Sequence, residues 1–145
     1  MASTASTMRS NGVAVACGAA KRPSFPFTFT ARAENHIRGN PDLGDTIARL
    51  QAYERAGADV LYAGLRNGDE IRRVCEATAK PVNMLAHPGL SMSEIVAAGA
   101  RRVSVGGSLA WVAAGAMAAV AEQMRDAGDF SALRARLPVE DWLGD

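Results

Sequence analysis

The feature that most constrains the fold is a repeat of short apolar segments, each followed by a longer segment with helical spacing. The short segments are predicted as strands: 27–31, 59–63, 82–86 and 102–105. Strands that alternate with helices are typical of a parallel sheet, so the sequence predicts an α/β fold. The pattern suits either a barrel or a doubly wound sheet. A complete (β/α)8 barrel needs about 250 residues, so four βα units in 145 residues would form half of one.

Capping and breaking residues mark the helices between these strands. Small polar residues cap helix starts, and Gly or Pro marks helix ends. The predicted starts are Asp42 or Asp45, Asp69, Ser91 or Ser93, and Ser108; the predicted ends are Gly57, Lys80-Pro81, Gly99 and about Ala127.

The chain is predicted to have three parts. Residues 1–24 are expected to be poorly structured or partly helical, because they are rich in Ser, Thr and Ala and lack an apolar stripe. Residues 25–127 would form the half barrel, and 128–145 a short helix and a tail. Trp111 is predicted to lie in the core or at an interface, and Trp142 to pack on a neighbouring chain.

Charge and cysteine content exclude several classes of protein. A formal net charge of +1 predicts neither a nucleic-acid nor a membrane partner, and no apolar run is long enough to span a bilayer. Cys17 and Cys75 are the only cysteines, which is too few for a disulfide framework. A reducing cytoplasm is therefore the expected location.

Arg32 and Glu34 are the first candidate site residues. Both are predicted to lie where the first strand ends, and in α/β proteins the carboxyl ends of the strands form the active face. A guanidinium there suits an acidic substrate. The alternative is a local ion pair between Arg32 and Glu34 that closes the loop, and the residues alone do not choose between the two.

Four sequence blocks occur in an order that resembles a known family. They are FTFTARAEN (27–35), AGADVLYA (56–63), PVNMLA (81–86) and RVSVGG (102–107). Over about residues 20–127 the chain resembles the C-terminal half of the isocitrate lyase/phosphoenolpyruvate mutase family. The resemblance implies a (β/α)8 barrel, Mg²⁺, and cleavage or formation of C–C or P–C bonds next to a 2-oxo acid carboxylate. The implied substrates are small 2-oxo or 2-hydroxy di- or tricarboxylic acids or phosphonates.

The resemblance also assigns roles to individual residues. Arg32 matches the family arginine that contacts the acid group of the substrate and is the predicted catalytic residue. Glu34, Asn83, Gly106 and Gly107 complete the predicted substrate-binding set, the glycines as an anion-binding turn before a helix. Asn83 could instead bond neighbouring backbone, and the glycines could simply form a tight turn. His36 and His87 are expected to be surface histidines.

The resemblance leaves the metal site outside this chain. The acidic residues that bind Mg²⁺ in the family lie in the N-terminal half, so no metal ligand is predicted here. The chain is interpreted as a gene fragment, a protein with a mis-called start, or one part of a split barrel, impaired when alone. Predicted partners are a small organic acid and either further copies of the chain or a complementary N-terminal half. The alternative is an inactive half barrel that binds organic acids or self-associates.

Overall fold

The computed structural model describes the backbone of residues 4–135 and the side chains of residues 11–135. The chain divides into two compact units, Met1–Val105 and Gly106–Asp145. The predicted boundaries after residues 24 and 127 remain predictions. Trp142 lies outside the described residues.

The first unit is built on a sheet of four parallel strands. They are β1 (Thr30–Ala33), β2 (Val60–Ala63), β3 (Val82–Leu85) and β4 (Arg102–Ser104), in the order β1-β2-β3-β4. The α/β prediction is confirmed. Each strand pairs with the next strand along the chain, which is the connectivity of successive barrel units and not of a sheet that reverses its strand order.

Helices alternate with the strands. They are α1 (Thr4–Ala20), α2 (Leu43–Arg55), α3 (Gly68–Ala77) and α4 (Met92–Ala97), with a short 3₁₀ helix at His36–Arg38. The core lies between the sheet and these helices. Its sheet side includes Leu61 and Met84, and its helix side includes Leu50, Ile71 and Ile95, all less than 3% exposed.

The helix boundaries follow local capping chemistry. Asp42, not Asp45, caps α2 by accepting a hydrogen bond from the Asp45 amide at 3.1 Å. Asn67, not Asp69, caps α3. Ser91 caps α4 and forms a reciprocal capping box with Glu94.

Two glycines end helices as expected. Gly57 and Gly99 follow α2 and α4, and both have φ of +100°. A residue with a Cβ is strained in this conformation, so these turns require Gly.

The first strand starts later than predicted. Phe27 was expected to lie in it but is 54% exposed outside the sheet. The pairing begins at Thr30, which lies opposite Val60. Just before it, the Phe29 amide donates to the Asp59 carboxylate, and the Phe29 carbonyl oxygen accepts from the Asp59 and Val60 amides. Arg32 therefore lies inside β1, and Glu34 follows its end.

Helix α1 covers most of the N-terminal segment that was expected to be poorly structured or partly helical. It runs over Thr4–Ala20 and contacts α2, and Cys17 is buried near Gly57. Burial raises the pKa of the Cys17 thiol. The pattern of apolar residues did not predict the full length of the helix, because Val13 and Cys17 pack on the core without forming a continuous stripe.

The second unit contains α5 (Ser108–Ala127) and a 3₁₀ helix at Ser131–Arg134. Gly107 occupies the N-cap position of α5 without a side-chain hydrogen bond, so the predicted Ser108 cap is wrong. Trp111 is 79% exposed, which excludes a core position within this unit. Among the described residues, no helix combines the length and apolarity that crossing a membrane requires.

Candidate functional site

Arg32 and Glu34 form an ion pair at the carboxyl end of β1. Arg32 Nε contacts Glu34 Oε1, and the second carboxylate oxygen of Glu34 lies 3.5 Å from Arg38 Nε. The ion pair predicted as one alternative is therefore present. The contact uses the Nε side of the guanidinium, and within residues 11–135 neither Nη nitrogen of Arg32 donates a hydrogen bond.

Arg32 is also held by an aromatic ring. Its Cζ atom lies 4.3 Å from the ring centroid of Tyr62, the residue that pairs with Arg32 in the adjacent strand. A guanidinium over an aromatic face is attracted by the ring quadrupole. Tyr62 and Glu34 together restrict the arginine, and of these two contacts only the one with Tyr62 was not predicted from the sequence.

One row of side chains crosses the sheet at the level of Arg32. The register pairs Arg32 with Tyr62, Tyr62 with Asn83, and Asn83 with Arg102. Registered residues in parallel strands project from the same face, and the Arg32–Tyr62 contact confirms this for the first pair. The row lies on the face away from the core helices, because Ala31, Leu61 and Met84 occupy the opposite face.

Asn83 is buried within this row, and one of its two polar side-chain atoms is unpaired. It is 1% exposed, and its Nδ2 donates to Ser104 Oγ at 3.1 Å. Its Oδ1 has no hydrogen-bond partner. The alternative prediction, a bond from Asn83 to neighbouring backbone, is not what the structure shows. Buried polar atoms are normally paired, so the unpaired Oδ1 of Asn83 is an exception within this row.

Asn35 organises the loop that follows Glu34. Its Nδ2 lies 2.6 Å from Thr46 Oγ1 and 3.2 Å from the carbonyl oxygen of Asp42. These bonds tie the end of β1 to the start of α2. Neither Asn35 nor Ser104 was singled out from sequence, because their partners are distant along the chain or identified only by register.

The predicted glycine turn belongs to the second unit. Gly106 has φ of +53°, which agrees with a tight turn that needs Gly. Gly107 precedes α5, whose first amides lack a side-chain cap. Anion binding by these glycines remains a prediction.

The two histidines differ in their surroundings. His87 Nδ1 accepts a hydrogen bond from the Gly89 amide at 3.1 Å, which organises its own loop. His36 is half-buried, and its Nε2 is a buried atom without a hydrogen-bond partner among the described residues.

A metal site does not fit the described residues. Within residues 11–135, no group of three or more His, Cys, Asp or Glu side chains could hold an ion. The carboxylate of Glu34 is already engaged by two arginines. No chemical step is therefore assigned to a metal bound by these residues.

Comparison with known proteins identifies the family. The family model described as phosphoenolpyruvate phosphomutase matches residues 5–125. The chain belongs to the isocitrate lyase/phosphoenolpyruvate mutase family. The resemblance seen in the four sequence blocks is thus confirmed.

Solved structures agree with this membership. A candidate lyase/mutase from Burkholderia cenocepacia J2315 is 46% identical and superposes with a TM-score of 0.88 over 94% of this chain and 50% of its own. Phosphonopyruvate hydrolase, in a complex with oxalate and Mg²⁺, is 28% identical with a TM-score of 0.74 over 92% of this chain and 48% of its own. The four βα units therefore have the fold of half of a TIM-type barrel.

The chain spans about half the length of the relatives it matches. An uncharacterized protein of Mycobacterium tuberculosis H37Rv is 34% identical over 74% of this chain and 45% of the relative. The family of lyases and mutases is established for this chain. Its reaction, its site residues and its use of a metal are matters for proposal.

Proposed function

We propose that this chain provides the acid-anchoring half of the barrel of a Mg²⁺-dependent lyase or mutase. The substrates would be small 2-oxo or 2-hydroxy acids or phosphonates. The observation that carries the proposal is Arg32, which is held by Glu34 and Tyr62 while its Nη nitrogens donate no hydrogen bond to the described residues.

The arrangement of Arg32 suits binding of an acid group. Two parallel N–H groups of a guanidinium match the two oxygens of a carboxylate or phosphonate. Because Glu34 and Tyr62 already restrict the side chain, binding would cost little further conformational entropy. A fixed cation also stabilises negative charge that develops on a bound enolate-like species.

Asn83 extends the proposed site along the same row. Its unpaired Oδ1 can accept a hydrogen bond from a substrate hydroxyl or an ordered water. Glu34, Gly106 and Gly107 remain in the proposed substrate-binding set. For Glu34 the proposed role is to orient Arg32, since its two oxygens contact Arg32 and Arg38.

Mg²⁺ would supply Lewis-acid stabilisation of the same developing charge. The proposed source of its ligands is a complementary half barrel, because the described residues form no ion-holding group. The proposed macromolecular partner is either that half barrel or further copies of this chain. No nucleic-acid partner is proposed. The free thiols of Cys17 and Cys75 agree with a proposed cytoplasmic location.

A second candidate function is acid binding without catalysis. The lack of an ion-holding group among the described residues favours it for the chain alone. Arg32 would then retain oxalate or pyruvate without turning over a substrate.

Calorimetry of oxalate and pyruvate binding tests the role of Arg32. Arg32→Lys keeps the charge but removes the two parallel N–H groups of the guanidinium. A loss of about 1–3 kcal/mol of binding free energy is expected. Arg73→Lys, on the exposed surface of α3, is the matched control and should bind as the parent chain does. Unchanged affinity of Arg32→Lys for oxalate and pyruvate would show that the ion pair of Arg32 with Glu34 is purely structural.

Turnover assays separate the two candidate functions. The isolated chain is expected to show no Mg²⁺-dependent cleavage of isocitrate, methylisocitrate or oxaloacetate and no phosphoenolpyruvate mutase activity. Mixing with a family N-terminal half that carries the metal-site acids should restore activity if the chain is an enzyme half. Metal-dependent turnover by the isolated chain, lost in Arg32→Ala, would overturn the assignment of the metal ligands to another half.

A further inference from the structure

The loops that follow β1 and β2 approach each other closely at Ile37 and Gly64. Ile37 belongs to the 3₁₀ helix after β1, and Gly64 directly follows β2. A Cβ atom added to Gly64 would lie 2.5 Å from Ile37 Cγ2, which is too close for two carbon atoms. Because φ of Gly64 is not positive, the Ile37 methyl group, and not the backbone conformation, excludes a side chain at this position.

The 3₁₀ helix that carries Ile37 is bonded to Glu34. The Arg38 amide donates to the carbonyl oxygens of Glu34 at 3.0 Å and Asn35 at 3.2 Å, and Arg38 Nε lies 3.5 Å from Glu34 Oε2. The other carboxylate oxygen of Glu34 contacts Arg32 Nε. Glu34 therefore lies between this helix and Arg32, so the position of the helix determines where Glu34 meets the guanidinium.

Side-chain contacts alone would hold Glu34 weakly. The Arg38 side chain is 78% exposed and that of Glu34 is 39% exposed, and exposed ion pairs contribute little to stability. The contact at Gly64 adds a constraint, because it packs the 3₁₀ helix against the end of β2. The same strand carries Tyr62, whose ring lies against Arg32. Both groups that hold the arginine are therefore positioned by β2.

We propose that Ile37 and Gly64 are positioning residues for Arg32. Their contact fixes the 3₁₀ helix, the helix fixes Glu34, and Glu34 together with Tyr62 orients the guanidinium. The proposal rests on the function proposed above, because an oriented Arg32 serves the binding of an acid group. The orientation itself can be measured without a ligand, so the positioning role and the proposed function are tested separately.

Three variants and one control isolate this contact. Gly64→Ala places a methyl group 2.5 Å from Ile37 Cγ2 and should displace the 3₁₀ helix. Ile37→Ala removes the Cγ2 atom and leaves the helix without the contact. In the double variant the two Cβ atoms would lie 3.8 Å apart, an ordinary contact distance, so the helix should return to its place. Gly68→Ala is the matched control, because Gly68 has no positive φ and no other part of the described chain lies within 4 Å of an added Cβ.

The first readout is the Nε–Hε signal of Arg32 in NMR spectra of the full isotope-labelled chain without ligand, identified by its absence in Arg32→Lys. Gly64→Ala and Ile37→Ala are each expected to move this signal toward that of the exposed Arg73, because the ion pair loosens. The double variant should restore the signal, since residues in contact act non-additively, and Gly68→Ala should leave it unchanged. The dispersion of the amide spectra establishes that each variant is folded, and Ile37→Ala carries the test if Gly64→Ala does not fold.

Calorimetry of oxalate binding is the second readout. Gly64→Ala should bind oxalate about fivefold more weakly than the parent chain, and the double variant should recover. An Arg32 signal that is unmoved in either single variant, or a shift that persists in the double variant, overturns the proposal. If the signal responds as expected but the parent chain binds no oxalate, the positioning role stands and the proposed function fails. Weaker oxalate binding with an unmoved Arg32 signal overturns the positioning role.

Discussion

Arg32 lies over the ring of Tyr62, with 4.3 Å between its Cζ atom and the ring centroid. The two residues face each other across neighbouring strands. This contact, together with the Glu34 carboxylate, gives a partly exposed arginine one preferred orientation. Orientation matters more than charge at a site that recognises a planar acid group.

The ring of Tyr62 is predicted to support acid binding. Tyr62→Leu removes the aromatic face and should weaken oxalate binding about two- to fivefold, in line with a cation–π contribution of about 0.5–1 kcal/mol. Tyr62→Phe retains the ring and is expected to bind oxalate nearly as well as the parent chain. Calorimetry measures both, and equal losses in the two variants would show that the hydroxyl, and not the ring, is important.

Asn83 and Ser104 are predicted to be coupled in stability. Ser104→Ala leaves Asn83 Nδ2 without its acceptor at a buried position and should cost about 1–3 kcal/mol. Adding Asn83→Val removes the buried amide altogether, so the double variant should recover most of that loss. Urea denaturation of the single and double variants gives the coupling, and additive losses would contradict this account.

Gly57 is predicted to be intolerant of substitution because of its backbone. With φ of +100°, Gly57→Ala should destabilise the fold by about 1 kcal/mol or more. Gly18→Ala is the matched control, because Gly18 lies inside α1 with no atom within 4 Å of an added Cβ. It should stabilise by about 0.5–1 kcal/mol. Thermal unfolding compares the two, and a neutral Gly57→Ala would argue against the left-handed turn.

The cap of α4 is predicted to depend on pH. Hydrogen bonds from the Ser91 side chain and amide lower the pKa of Glu94. A lowered pKa in the folded state stabilises the protein above the unfolded pKa of Glu94, and this contribution is lost as the pH falls through the folded value. NMR titration of the Glu94 carboxyl should show a pKa nearer the ordinary value in Ser91→Ala, and an identical titration in both proteins would contradict the capping box.

Association is predicted for the purified chain. Within the described residues, β1 and β4 are the end strands of the sheet and each pairs on one side only. Unpaired edges favour association between chains. Sedimentation velocity at micromolar concentration should detect dimers or larger species, and a well-folded monomer would count against the prediction.

Much of the first unit could be predicted from sequence because its signals are local. Four apolar segments separated by helical spacing led to four parallel strands, and Gly57 and Gly99 marked helix ends because a positive φ is a property of one residue. The family followed from blocks that contain the same strands.

Only the tertiary structure decided what depends on register and long-range contacts. The strand β1 begins at Thr30 and not at the predicted residue 27, because strand pairing starts where Thr30 lies opposite Val60. Tyr62 contacts Arg32 through its ring, and Ser104 accepts a hydrogen bond from Asn83, 21 residues away in sequence. Both contacts form because parallel strands align residues that are distant along the chain. The unpaired nitrogen of His36 became visible for the same physical reason: burial and hydrogen bonding are set by neighbours in space, which local sequence patterns do not specify.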